Sequence, residues 1–177
     1  MFHLRKRRWL CLSLAAGFAL LGLALGPPMI HLIRVRLHEH FIPRAQAGGF
    51  LSELRNIIPK HGGDLLNVTV RDINTDHDTF LRYADQPVIA FVMFVNQSRT
   101  AAGDSQMESM TQEMIEAALR HQGRYYLPYR PHASVDQFYR AYPQAPAFFD
   151  LKRQFDPHEV FQNQFYVKYG RNKTGDR

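Results

Sequence analysis

The residues Val88 to Val95 form a continuously apolar run rich in β-branched and aromatic side chains. A strand with one wet face would alternate polar with apolar. An unbroken run demands cover on both faces. The chain must therefore build a sheet whose centre is covered from each side. The flanking segments define what surrounds it.

Upstream, Phe50, Leu51, Leu54, Ile57 and Ile58 recur at helical spacing, which predicts a helix over Ala47 to Lys60, ended by Pro59 and the pair Gly62-Gly63. Before it, Val35 to Ala45 alternates loosely and reads as a strand. His38 and His40 share one face of that strand. A metal pair is conceivable there, but no further ligand stands at a fixed spacing, so surface or ligand-lining histidines are the better reading.

Leu65 to Ile73 reads as a strand with unlike faces. Leu66, Val68 and Val70 point one way and are expected to meet helices. Asn67, Thr69 and Arg71 point the other way, toward water, a second domain or a ligand. Asp72 to Asp85 is a polar connection with a Phe80-Leu81 anchor. Downstream, Met107, Met110, Met114 and Ala118, with Ile115 and Leu119, predict a helix over Asp104 to Gln122, and methionine at that spacing is core. Gly123 stops it.

Gly123 to Ala133 packs three tyrosines, two arginines and a histidine into eleven residues. It reads as a strand leaving the sheet at Pro128. Its rings and hydroxyls suit a planar or polar ligand, or else a plain sheet-edge aromatic cluster. Ser134 caps a short helix running through Tyr142, and Ala147 to Gln154 forms another. Asp156-Pro157-His158-Glu159 makes a turn, Phe161 to Tyr169 is an aromatic tail, and the residues from Arg171 on fray.

The order is strand, helix, strand, strand, helix, strand. It predicts an α+β chain: a ferredoxin-like antiparallel sheet with helices on one face, preceded by an N-terminal hydrophobic helix. The expected division is 1–34 for the appendage, 35–170 for the domain and 171–177 for the tail.

Charge separates appendage from domain. The net +6 arises from six basic residues up to Arg36 with no acidic one, while the remainder carries sixteen of each sign. A neutral domain has no general pull on a phosphate backbone, so nucleic acid is not expected as a partner; stacking of single strands on an open sheet face is the residual possibility. Trp9 to Leu25 lacks any charge and follows Arg5 to Arg8. As a helix it measures roughly 25 Å, close to a bilayer core of about 30 Å. It reads as an uncleaved membrane anchor with a cytoplasmic N-terminus, and a cleaved signal peptide is the rival. Cys11 is the single cysteine, which excludes an internal disulfide.

Four stretches together carry a resemblance: His40-Phe41-Ile42-Pro43, Asn67-Val68-Thr69-Val70-Arg71, Gly123 to Tyr129, and Leu151-Lys152-Arg153-Gln154-Phe155-Asp156-Pro157 followed by Phe161-Gln162-Asn163. From about Val35 to Gly170 the chain resembles the C-terminal cap domain of FAD-linked oxidoreductases of the vanillyl-alcohol-oxidase type. The aldonolactone, alditol and decaprenylphosphoryl-ribose oxidases are the nearest branch.

The resemblance implies oxidation of a sugar-type alcohol or lactone, with FAD as hydride acceptor. It implies catalytic roles for Arg71, Tyr126 and Tyr129, and flavin contact by Arg71 and Asn163. Asn67, Thr69, Arg130 and His132 are implied to bind substrate. Tyr129 departs from the lysine of the family pattern. The family's flavin-binding domain has no counterpart in these residues, so a flavin-binding domain or subunit is the expected partner, and no turnover is expected from this chain alone. The alternative is a membrane-anchored ferredoxin-like binding module without redox chemistry. The two differ in whether a neighbouring reading frame encodes a flavin domain.

Overall fold

The computed structural model describes residues 33–171. The anchor-like segment, Cys11 and the tail beyond Arg171 lie outside the described residues. Among those described, no helix is long and apolar enough to cross a membrane. From Arg34 on, the described residues form one compact unit.

The described residues build strand β1 (Ile33–Pro43), helix α1 (Ala47–Lys60), β2 (Asp64–Ile73), β3 (Val88–Ser98), α2 (Ala101–Arg120) and β4 (Arg124–Tyr125). Two short helices follow, α3 (Val135–Ala141) and α4 (Ala145–Phe155), then a π-helical turn at Tyr166–Gly170. The four strands form one antiparallel sheet in the order β2-β3-β1-β4. Each long helix therefore carries the chain over one intervening strand.

The apolar run does sit inside the sheet. Phe91, Met93 and Val95 pack into one cluster with Phe50, Leu54 and Ile57 of α1 and Met107, Met110 and Met114 of α2. Both long helices thus lie on one face. Each fully buried side chain of this type contributes about 1.5–3 kcal/mol. The opposite face of β3 is covered at Val88 and Ala90 by Tyr83 and Ala84 from the β2–β3 connection and by Phe41. That connection answers the demand for a second cover.

Helix α2 begins three residues before its expected start. Thr100 is the reason: its hydroxyl accepts the Gly103 N–H at 3.0 Å, a cap that sequence periodicity does not register. Ser134 caps α3 as expected, in a reciprocal box with Gln137. A second cluster, mostly aromatic, ties α3, α4 and the π turn to the end of α2; Phe138 stacks on Tyr169 with centroids 4.4 Å apart.

Three expectations need correction. Leu66, Val68 and Val70 do not meet helices; they are 52%, 38% and 59% exposed. Val68 and Val70 do pair with Met93 and Phe91, so they face the helix side, but β2 is the sheet's edge and the helices stop short of it. Leu66 lies in a register irregularity between Leu65 and Asn67. The aromatic stretch is strand only at Arg124–Tyr125, because Pro128 and Pro131 leave no room for a longer ladder. For His38 and His40 the surface alternative fails, because they are 8% and 1% exposed, while both line a cavity beside β1.

Candidate functional site

Alternation along β1 sorts its side chains. His38, His40 and Ile42 point toward the helices. His38 Nε2 lies 3.2 Å from Met107 Sδ, and the His40 ring is 5.5 Å from Phe50. Glu39 and Phe41 point to the helix-free face. Burial holds His38 down to about 4 and His40 to about 3, so both imidazoles are neutral at physiological pH. His40 Nδ1 has no hydrogen-bond partner. Among the described residues no three His, Cys, Asp or Glu side chains could hold a metal ion.

Register decides where the other residues fall. His40 pairs with Tyr125, which takes Tyr125 into the aromatic core and turns Tyr126 to the helix-free face. There Phe41 stacks on Tyr83 at 3.9 Å, Tyr83 meets Tyr126 edge-on at 5.9 Å, and Tyr126 meets Tyr129 at 5.0 Å. Tyr129 donates its hydroxyl to Glu39 Oε2 at 3.3 Å. Burial, then the Glu39 charge, pushes the Tyr129 hydroxyl up to about 12. Tyr129 therefore keeps its proton near neutrality and acts as a donor, not as a base.

On β2, Thr69 and Arg71 pair with Val92 and Ala90, which puts them on that same helix-free face; Asn67, opposite Phe94, joins them. The Arg71 side chain is exposed and makes no hydrogen bond or ion pair to another described residue. Its charge is one of those felt by the Tyr129 hydroxyl. Five of the anticipated residues, Asn67, Thr69, Arg71, Tyr126 and Tyr129, thus share one face. Asn163 borders a groove of about 420 Å³ that Tyr129 also lines. Its Oδ1 accepts the Tyr166 N–H at 2.8 Å, which starts the π turn.

Arg130 and His132 lie elsewhere, on the α2 side of the loop after β4. Arg130 Nη1 donates to Asp104 Oδ1 at 2.8 Å, and His132 Nδ1 is 3.2 Å from Thr111 Oγ1. The loop is pinned by Gln112 Nε2 to His132 O at 2.9 Å and Lys168 Nζ to Pro131 O at 2.6 Å. Because β4 leaves the sheet after Tyr125, the outer edge of β1 from Val35 to Glu39 borders a cavity of about 200 Å³. Tyr126, Tyr129 and Glu39 line it from the helix-free side; His38, Thr111 and His132 line it from the helix side. The cavity brings Tyr126 and Tyr129 together with Arg130 and His132 around that edge, while Asn67, Thr69 and Arg71 on β2 lie outside it.

Three residues of this site were not singled out in the sequence. Glu39 carries the carboxylate that meets Tyr129 on the helix-free side, and its alternation with His38 and His40 was the available signal. Arg36 was counted with the appendage but belongs to β1 and lines the cavity. Tyr83 comes from a connection that sequence presents as a polar loop.

The closing segment is a built unit. Lys152 pairs with Asp156 at 2.7 Å and sits 4.1 Å over the Tyr166 ring. Asp156 also accepts the Val160 and Phe161 N–H groups at 2.9 and 3.0 Å. No family model matches the chain, and no curated protein is significantly similar to it.

Proposed function

We propose that the described residues form a ferredoxin-like cap, the substrate side of an FAD-dependent oxidoreductase acting on a sugar-type alcohol or aldonolactone. The flavin-binding domain is supplied by a separate part or partner, and the N-terminal hydrophobic segment serves as a membrane anchor. The observation that supports this reading is the shared face: Arg71, Tyr126 and Tyr129 stand on the side of the sheet that neither long helix covers.

The residues present fit the ring end of a flavin. An unpaired, exposed guanidinium beside polar aromatics suits an electron-rich planar heterocycle. FAD would supply the hydride acceptor. Arg71 is positioned to stabilise negative charge that develops on that face. Tyr129, holding its proton, donates to a substrate oxygen or to Glu39. Glu39 is the carboxylate that receives the substrate hydroxyl proton, directly or through Tyr129, while the carbinol carbon gives up its hydride and becomes a carbonyl. Tyr126 and Tyr83 wall the reacting carbon from water.

The test is co-expression with a candidate flavin-binding domain, followed by anaerobic mixing with polyols and lactones while flavin absorbance is followed. Retained flavin that bleaches with substrate, and bleaches far more slowly in Glu39→Gln and Arg71→Gln, is the expected result. No retained flavin, or unchanged bleaching in both variants, refutes the assignment. The second reading, a binding module without redox chemistry, is favoured by the cavity beside β1, which needs no flavin to be complete. Ligand binding by the chain without any flavin partner distinguishes it.

A further inference from the structure

We propose that the cavity beside β1 binds a small polyhydroxylated molecule carrying one oxyanion, a sugar acid or a sugar phosphate, with the oxyanion at Arg36 and Arg130 and the hydroxyls toward Glu39 and Tyr129.

Charge at one end of the cavity is unbalanced. The Arg36 guanidinium is held below its usual value by burial and then by the charges of Arg130, Arg34 and Arg99, with Asp104 the one carboxylate acting against them. Asp104 is already engaged, accepting from Gln97 Nε2 at 2.6 Å and Arg130 Nη1 at 2.8 Å. Arg36 spends its Nε on the neutral Gln97 Oε1 at 2.5 Å, and its Nη2 is buried with no acceptor. A buried cationic donor left unpaired is costly, and a bound carboxylate or phosphate is the group that satisfies it.

The rest of the lining limits the ligand. Met107 and Ile115 offer apolar surface to a carbon chain. His38 and His132 are both kept neutral, chiefly by burial, so they exchange hydrogen bonds with hydroxyls and add no charge. Glu39 at the far end repels a second oxyanion and accepts from hydroxyl groups. At about 200 Å³ the cavity lies below the range of about 300–1,000 Å³ usual for drug-sized ligands and suits a molecule of monosaccharide size. That the bound molecule is also the one oxidised rests on the cap reading above; the binding itself does not.

The full chain in nonionic detergent is titrated calorimetrically with gluconate, glucitol 6-phosphate, glucitol and inorganic phosphate. The expected result is at least tenfold tighter binding of gluconate or glucitol 6-phosphate than of glucitol. Inorganic phosphate should bind at least tenfold more weakly than the better of the two acids. Which acid binds more tightly identifies the source of the oxyanion. Arg36→Gln abolishes the preference for acid over glucitol. If that variant does not fold, Arg130→Gln, whose side chain is 34% exposed, reduces the same preference. Equal binding of acids and glucitol, inorganic phosphate as tight as the better of the two acids, or an unchanged preference in Arg130→Gln overturns the proposal. Tight acid binding together with a flavin partner that never bleaches leaves the site standing and removes the redox reading alone.

Discussion

The two buried histidines of β1 make stability depend on pH in a window where the carboxylates are already ionised. His38 is held to about 4 and His40 to about 3, in both cases first by burial, against an unfolded value of 6.5. Below pH 6.5 the unfolded imidazole takes up a proton that the folded one refuses. The unfolded state then binds more protons, so stability is complete above 6.5 and falls as pH drops toward the folded values. The slope approaches about 1.4 kcal/mol per pH unit for each histidine. Between pH 7.5 and 5.0 the loss is about 2 kcal/mol for each, or about 4 kcal/mol for the pair. Urea unfolding followed by circular dichroism reads this directly. With a urea slope of roughly 1–3 kcal/mol/M, the midpoint drops by more than about 1 M over that range. His40→Leu removes one of the two titrations, and it removes the unpartnered Nδ1 as well. It should stay within about 1 kcal/mol of wild type at pH 7.5 and lose about half of the pH dependence. An unfolding midpoint that does not move between pH 7.5 and 5.0, or a His40→Leu variant with the full wild-type slope, refutes the reasoning.

Gly123→Ala places a Cβ against Ile42 Cδ1 and 2.7 Å from the Phe41 carbonyl oxygen, and the carbonyl cannot yield; a loss of about 1–3 kcal/mol and a fall in Tm of several degrees are expected in thermal melts. Val70→Thr on the open edge should change stability by less than about 0.5 kcal/mol, whereas Val92→Thr, at 3% exposure, should cost about 1–3 kcal/mol; equal effects in chemical denaturation would contradict the placement of β2. Asp156, hydrogen-bonded first by Lys152 and also by two backbone N–H groups, lies below the ordinary carboxylate range. Its stabilisation is present above the unfolded value and vanishes as pH falls through the lowered one, so Asp156→Ala should melt earlier at pH 7 and approach wild type only in strong acid.

The order of elements was legible because periodicity survives without tertiary knowledge. The methionine stripe of α2 and the apolar stripe of α1 both report a face toward the sheet, and both faces are buried. What escaped was set by the third dimension. The alternation of β2 correctly separates Val68 and Val70 from Arg71, but alternation says nothing about how far a helix extends over an edge strand. The six basic residues up to Arg36 read as one surplus in sequence, and only the structure assigns Arg34 and Arg36 to strand β1. Glu39 sits between two histidines that draw attention to themselves, yet its meaning depends on Tyr129, ninety residues away.

Strand β4 is two residues long, and that brevity concentrates a choice of chemistry in a single pairing. Slipping Tyr125 by one position against His40 would exchange the fates of two adjacent tyrosines, sending Tyr126 into the aromatic core and Tyr125 out beside Glu39. The Tyr142 hydroxyl on the Tyr125 carbonyl, the Tyr126 N–H on the Glu39 carbonyl at 3.0 Å and the bare backbone of Gly123 against Phe41 oppose that slip. Identity at the open face is therefore decided by groups that never reach it, and substitutions at Tyr142 or Gly123 act on which side chains are presented as well as on stability.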